Sequence, residues 1–184
     1  MIHAKGSVLQ ATLDFVAHDA GAEVLQQVLE RLPEETRREV ERAGPTDEVP
    51  VPVAYALWHA VDEVRGREDP GWVERAGAHS IESTGMQLYG GIVRKPTPHD
   101  FLAQRISLFR LFYRSGQMEV VERGDDFAVL RLLEFEPVDR LFCRRQTGGL
   151  CRVLELAGGG NPSARHVRCV LDGDAFCEWA LRWS

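Results

Sequence analysis

The chain has 184 residues, of which 44% are hydrophobic and 27% charged, and its formal net charge at pH 7 is -6. This length and composition are typical of one globular domain over residues 1–184, with a core that needs neither disulfides nor metals for stability. The negative charge argues against nucleic acid as a partner, and no apolar run approaches the roughly eighteen residues of a membrane span, so we expect a cytoplasmic protein that contacts no membrane.

The first part of the chain has helical spacing. Apolar residues recur three and four positions apart from residue 7 to about residue 90. Pro33 opens a strongly charged helix, which ends before Gly44. Residues 49–53 alternate valine and proline, which we interpret as an extended linker into the next amphipathic helix and not as a strand.

Two more helices are predicted before the pattern changes. One covers residues 70–88, and the other begins at Pro98 and ends near Gly116. Five residues form the apolar side of the second helix: Phe101, Ile106, Leu108, Phe109 and Phe112.

The last third of the chain predicts a small sheet. Residues 117–122 and 127–135 are β-rich runs on either side of a turn, which predicts a hairpin. Residues 137–156 return to helical spacing, and a second hairpin closes the chain. The segment 116–184 therefore has the order strand-strand-helix-strand-strand, and we predict an α+β fold in which the helical part, residues 1–115, packs on a small antiparallel sheet.

Two cysteines flank an Asp-Gly turn in the last hairpin. A three-residue loop over residues 172–174 places Cys169 opposite Cys177 on one face, whereas a two-residue loop sends their sulfurs to opposite faces. Cys143 and Cys151 are eight residues apart, about 12 Å along one helix, so at most one of them joins the hairpin pair.

A tetrahedral zinc needs four ligands, and a glutamate near the first hairpin turn supplies a candidate. The candidate metal set is Glu122, Cys143, Cys169 and Cys177. His166 precedes Cys169 by three residues, so it has the opposite strand parity and is left off this face. The competing interpretation is that the cysteines are buried as small hydrophobic residues.

Motifs for catalysis are missing from the sequence. It contains no nucleophile elbow, no phosphate-binding loop and no paired-histidine metal motif, so we expect no catalytic residues and no enzymatic activity. Aromatic residues are candidates for the lining of an apolar ligand pocket, although such residues also build cores. These candidates are Phe109, Phe112, Phe127, Phe142 and Trp179.

A family resemblance covers nearly the whole chain. The segment from Gly116 to Trp183, with Cys143, a glycine-rich break and the run from Cys169 through Asp-Gly-Asp to Cys177, resembles the vinyl-4-reductase (4VR) domain. The complete chain is similar to an uncharacterised myxobacterial paralogous family of about this length. Both resemble the superfamily of haem-nitric-oxide-binding domains, phenol-responsive sensory domains and transport-protein-particle (TRAPP) subunits. The resemblance implies a helical layer on a small antiparallel sheet, an apolar pocket and a homodimer.

The resemblance also bears on cofactors. The phenol-sensing relatives hold a structural zinc with one Glu and three Cys, whose order matches Glu122, Cys143, Cys169 and Cys177 here. The haem-binding relatives carry a Tyr-x-Ser-x-Arg motif, which residues 113–117 match only in part because glutamine replaces the arginine. Their proximal histidine has no identifiable counterpart at the expected place in this sequence. We therefore expect zinc and no haem.

Together these observations predict a non-enzymatic sensory or regulatory domain that binds a small apolar ligand and contains a structural zinc. The alternative is a homodimeric protein-interaction module that resembles TRAPP subunits and binds no ligand. In that alternative, Phe109, Phe112 and Trp179 lie at the subunit boundary.

Overall fold

The fold is α+β, with helices over most of the first half and antiparallel strands near the end. The computed structural model describes residues 2–103 and 108–184, without the side chains of residues 89, 92, 93 and 108. The described helices are α1 (Gly6–Ala20), α2 (Ala22–Arg31), α3 (Glu34–Arg42), α4 (Val51–Arg65), α5 (Trp72–Ser80), α6 (Met86–Val93), α7 (Pro98–Leu102), α8 (Leu108–Phe112) and α9 (Arg140–Leu156). Among these helices, none has the length and apolar character needed to cross a membrane.

The strands form two antiparallel sheets. They are β1 (His3–Lys5), β2 (Glu48–Pro50), β3 (Gln117–Arg123), β4 (Phe127–Leu133), β5 (Ser163–Arg168) and β6 (Cys177–Arg182). The small sheet pairs β1 with β2, and the larger one has the order β3-β4-β6-β5. The predicted order of strand-strand-helix-strand-strand is confirmed, since α9 lies between the two hairpins in sequence.

The interpretation of residues 49–53 as an extended linker is wrong, because residues 49 and 50 belong to β2 and residues 51–53 begin α4. Strand β2 pairs with β1, so that His3 lies opposite Pro50 and Lys5 opposite Glu48. A proline is tolerated there because a two-stranded sheet leaves an outer edge on which no amide is needed. Pro52 lies in the first turn of α4, where a missing amide hydrogen costs nothing.

The helix predicted over residues 70–88 exists, but it contains an irregular turn. Helix α5 continues through a π-helical turn, Ile81–Gly85, into α6. Helix α7 begins after Thr97, whose side chain accepts a hydrogen bond from the Asp100 amide. The predicted apolar residue Ile106 lies outside the described residues.

Helices α5 and α9 approach each other closely through glycines. A Cβ atom built on Gly77 would lie 2.1 Å from the backbone oxygen of Arg145, and one on Gly148 would lie 1.9 Å from that of Glu74. Any larger residue at either position would therefore force the two backbones apart.

Helix α9 connects the helical layer with the sheet. It begins after Asp139, whose side chain accepts a hydrogen bond of 2.7 Å from the Leu141 amide. On one side α9 packs against α5, and on the other it contacts β5 and β6. Buried residues from both halves of the chain form one hydrophobic cluster, and Trp58, Phe142 and Trp179 are among its largest members.

Candidate functional site

Three cysteines and one histidine come together where α9 meets the end of the sheet. The Sγ atom of Cys177 lies 3.9 Å from that of Cys143 and 4.0 Å from that of Cys169. With a ring nitrogen of His166, these sulfurs form a group of four ligand atoms within 4.8 Å of one another. All three cysteines are buried and none forms a disulfide.

The sulfur spacing fits ligands of a single zinc ion. Zn–S bonds of about 2.3 Å in a tetrahedron place sulfurs about 3.8 Å apart, whereas a disulfide holds them at about 2.05 Å. The observed distances of 3.9 and 4.0 Å match the first case. His166 Nε2 is buried without a hydrogen-bond partner among the described residues, so a ring nitrogen is available as the fourth ligand.

The end of the last hairpin has the register that brings its two cysteines together. Arg168 pairs with Glu178, and in that register the next residues inward are Cys169 and Cys177. The ladder ends there, and a 3-10 turn, Val170–Asp172, lies within a longer connection than the predicted three-residue loop. Of the two predicted alternatives, the structure has the one in which the sulfurs share a face.

The exclusion of His166 by strand parity is wrong. The pairing of β5 with β6 shifts by one residue between His166 and Arg168, which is a β-bulge at Val167. His166 is paired with Trp179, and Trp179 is two residues from Cys177 and so on the same face of β6. The parity argument failed because it assumed an unbroken strand.

Glu122 is not part of this group. Its side chain is exposed on β3, where it pairs with Val129, whereas Cys177 pairs with Leu132 on the other side of β4. Three residues of strand correspond to about 10 Å, and β4 separates the two strands. The register of the sheet therefore keeps Glu122 away from the sulfurs.

The local electrostatics favour one thiolate within the group. A hydrogen bond with Cys143 lowers the pKa of Cys177 to about 4. The same hydrogen bond raises the pKa of Cys143, and burial raises that of Cys169. A zinc ion bound here would therefore displace the protons of two thiols, because the metal coordinates thiolates.

A cavity of about 300 Å³ lies between the helices and the sheet. Side chains from α1, α8 and α9, the π-helical turn, β3 and β4 form its walls, and most of them are apolar. Apolar lining residues include Val8, Ile81, Met118, Leu130, Leu150 and Val153. The polar lining side chains are Ser80, Tyr113, Arg145 and Gln146. Ligand sites commonly have this composition, and the volume lies at the small end of their range.

Two of the five aromatic residues predicted for a pocket line this cavity. Phe109 and Phe112 belong to its wall. Phe127, Phe142 and Trp179 lie elsewhere in the structure.

These three have other packing partners. Phe142 stacks on Phe135 with ring centroids 4.6 Å apart, and Trp179 donates a hydrogen bond of 3.0 Å to Thr147. Phe127 covers the turn of the first hairpin, within 2.3 Å of where a Cβ on Gly124 would stand. Their aromatic character therefore serves the core and the turn.

The subunit boundary of the alternative prediction does not match the surface. Phe109, Phe112 and Trp179 have 5%, 8% and 0% of their surface exposed, because they pack inside their own chain. They cannot form an interface without unfolding. Dimerisation through other surfaces stays a prediction.

Solved structures of H-NOX domains, which are haem-nitric oxide binding domains, share this fold. The Fe(II) unliganded H-NOX protein from K. algicida aligns with 98% of this chain and 96% of its own, at 12% identity and a TM-score of 0.72. An oxygen-binding H-NOX domain related to soluble guanylate cyclases aligns with 98% and 95%, at 12% identity and a TM-score of 0.70. A mutant of the T. tengcongensis H-NOX aligns with 98% and 97%, at 12% identity and a TM-score of 0.68. At such identities the likeness shows the fold alone.

Neither a protein-family model nor a curated protein matches this sequence. The resemblances to the 4VR domain, to the myxobacterial family and to TRAPP subunits therefore stay predictions. Of the groups that the sequence resembles, the H-NOX domains have solved structures that share the fold.

The expectation of no haem is overturned by the same comparisons. The structures that share the fold include one from a study of haem distortion in the H-NOX family and one from a study of haem redox potential, with TM-scores of 0.71 and 0.69. The partial match of residues 113–117 to the haem-family motif, with no identifiable proximal histidine, was too narrow a basis for excluding haem. At 12% identity, a fold is retained while short motifs diverge.

Proposed function

We propose that this protein is a sensory domain that binds a small apolar molecule in the cavity between its helices and its sheet. The observation that carries the proposal is the cavity itself, about 300 Å³ with a mainly apolar lining, in a chain with the fold of H-NOX domains. Removal of apolar ligand surface from water supplies the binding free energy. The proposed role is one of binding, without catalysis.

Helix α9 is the element through which binding would affect the rest of the protein. Leu150 and Val153 line the cavity from α9. Cys143, on the same helix, belongs to the cluster of three cysteines and one histidine. The π-helical turn also lines the cavity through Ile81, and such turns are frequent at functional sites. A ligand that prefers one position of α9 would shift the protein toward that state.

We further propose a structural zinc held by Cys143, His166, Cys169 and Cys177. The donor set of three thiols and one imidazole is a common one for structural zinc. Such an ion would join α9 to β5, to β6 and to the connection between these strands. It would thereby fix the end of the sheet on the helix that lines the cavity.

Haem is a second candidate for the cavity, favoured by the shared fold. Tyr113 and Met118 are the described lining side chains of types that ligate haem iron. Burial raises the pKa of Tyr113 to about 12, so its phenol stays protonated at neutral pH and Met118 is the better donor of the two. The described lining thus offers Met118 but neither a histidine nor a cysteine, so its residues fit a haem poorly; a haem iron held there would supply gas binding.

Titration with 1-aminoanthracene, a neutral apolar fluorophore, tests the proposal. We expect saturable binding of one molecule, and at least tenfold weaker binding by Val153→Phe, which fills the cavity. Val121→Phe places the same side chain on exposed β3, where 40% of Val121 is accessible, and it should bind as the unsubstituted protein does. Equal binding by all three proteins would contradict a site in the cavity.

Titration with hemin distinguishes the two candidates. A haem in the cavity would give a protein-bound Soret band that changes in Met118→Leu and is unaffected in Val121→Phe. A spectrum of free hemin alongside tight 1-aminoanthracene binding would leave the small apolar ligand as the occupant.

A further inference from the structure

Arg145 is a buried cation that lines the cavity, and no carboxylate of the described residues balances its charge. Only 4% of its surface is exposed, and it belongs to the cavity lining. No described aspartate or glutamate forms an ion pair with it. The sequence places no acidic residue among positions 104–107, so that part of the chain supplies no carboxylate either.

The neighbours of the guanidinium are neutral. One nitrogen, Nη2, donates a hydrogen bond to the Ser80 hydroxyl, and the guanidinium carbon lies 5.1 Å from the centre of the Trp58 ring. The other terminal nitrogen, Nη1, is buried and has no hydrogen-bond partner among the described residues. Tyr113 and Gln146 hydrogen-bond with each other nearby.

Such an arrangement is unfavourable in the absence of an anion. An arginine carries five donors in a planar fork that matches a carboxylate, and a buried charge costs free energy unless it is paired. An arginine guanidinium stays charged at neutral pH. A site with one uncompensated cation in an apolar cavity selects for a ligand with one anionic end.

We propose that the natural ligand is a small carboxylic acid with an apolar body, whose carboxylate pairs with Arg145 and whose body fills the rest of the cavity. This inference rests on the proposed function, because it specifies the ligand class of the same cavity. Nη1, which has no hydrogen-bond partner among the described residues, and the Ser80 hydroxyl would bind the carboxylate, and Val8, Met118 and Leu130 supply apolar walls. A guanidinium and a carboxylate, once both are removed from water, form a charge-assisted pair.

The test compares 3-phenylpropionate with 3-phenylpropanamide, which has nearly the same shape and no charge. Each is titrated against bound 1-aminoanthracene, so that only binding in the cavity is measured. We expect the acid to displace the fluorophore at a concentration at least tenfold lower than the amide does. Hemin is titrated in parallel, since a porphyrin also carries carboxylates.

Two variants test whether Arg145 causes the preference for the acid over the amide. Arg145→Met should reduce the preference for the acid to twofold or less, while Arg140→Met should leave it unchanged, because Arg140 lies on the exposed side of the same helix beside Asp172. Arg145→Met should also unfold at no lower a temperature than the unsubstituted protein, since it removes an unpaired buried charge. A merely structural arginine would show a clear loss of stability instead.

The outcomes separate this inference from the proposed function. Equal displacement by acid and amide, or displacement by hemin alone, would overturn the small-acid inference while bound fluorophore still supported a ligand cavity. Failure of 1-aminoanthracene itself to bind would overturn both. The comparison of acid with amide needs no variant, so it decides the matter even if Arg145→Met does not fold.

Discussion

At the scale of single residues, one extra residue in β5 decides whether His166 joins the cluster of three cysteines at the end of the sheet. Val167 forms the bulge, and with it His166 lies on the face that carries Cys177. The His166 imidazole lies beside three buried sulfurs and would complete the donor set of the proposed zinc site. The bulge is thus a feature on which metal binding would depend.

We predict that His166→Ala lowers zinc content and Glu122→Gln does not. The unsubstituted protein should contain about one equivalent of zinc by elemental analysis, because four ligands hold the ion. His166→Ala should lose most of it on dialysis against a mild chelator, since the ion then keeps only three protein ligands. The variant Cys151→Ser is the control for the loss of a cysteine elsewhere and should keep its zinc. Cys151 lies outside the proposed ligand set, and its thiol donates a hydrogen bond to the Pro162 carbonyl.

Zinc lost from Glu122→Gln and retained in His166→Ala would reverse the assignment. Less than a tenth of an equivalent in the unsubstituted protein would remove the site altogether.

The three cysteines could be predicted from the sequence, but their fourth partner could not. The Asp-Gly turn constrained the hairpin to two registers, and the structure has one of them. The bulge at Val167 has no glycine or other local signal, so counting strand parity excluded His166. Arg145 was likewise not singled out, because the lack of a partner for a charge is a property of the packed chain.

At the scale of secondary-structure elements, glycines allow the backbones of α5 and α9 to come into close contact. Gly77 and Gly148 lie where each backbone meets the other, and Gly77 also lines the cavity. The spacing of these helices therefore sets the width of the cavity.

We predict that Gly77→Ala destabilises the protein and that Gly91→Ala does not. The new methyl at residue 77 would stand 2.1 Å from a backbone oxygen, so the helices must separate at a cost of about 1–3 kcal/mol. At Gly91 in α6, no described atom beyond its own turn of helix lies within 4 Å of the new methyl, and alanine should be neutral or stabilising by up to about 1 kcal/mol. Urea unfolding monitored by circular dichroism measures both, and equal stability of the two variants would show that the helices are not in tight contact.

The elements themselves were largely predictable. Periodicity and capping residues located α9 to within three residues at its start, and both hairpins were found. Strand β2 was missed because its pairing with β1, more than forty residues earlier, has no local signature beside two prolines. The π-helical turn has no pattern of its own and was predicted as ordinary helix.

At the scale of the whole molecule, a network of charges joins the helices of the first half. Asp69, between α4 and α5, lies 2.7 Å from Arg75 and 3.0 Å from Arg65. Both arginines also contact Asp19 at the end of α1. The hydrogen bond with Arg75 holds the pKa of Asp69 below its ordinary value.

We predict that Asp69→Asn removes part of the acid sensitivity of stability. A carboxyl group whose pKa is lower in the folded state stabilises that state above its unfolded pKa of about 3.9, and the stabilisation is lost as pH falls through the folded pKa. The free energy of unfolding of the two proteins should therefore differ by a constant amount from pH 7 to about pH 5 and converge below pH 4. A difference that did not change with pH would show that Asp69 acts through packing and not through its charge.

We propose above all that a small molecule binds in the cavity that α9 helps to line. Methionine methyl groups report on it directly, because Met118 lines the cavity and Met86 does not. With ¹³C-methyl methionine and saturating 1-aminoanthracene, we predict a large shift of the Met118 signal and little change at Met86. Saturable binding that left the Met118 signal in place would contradict the claim.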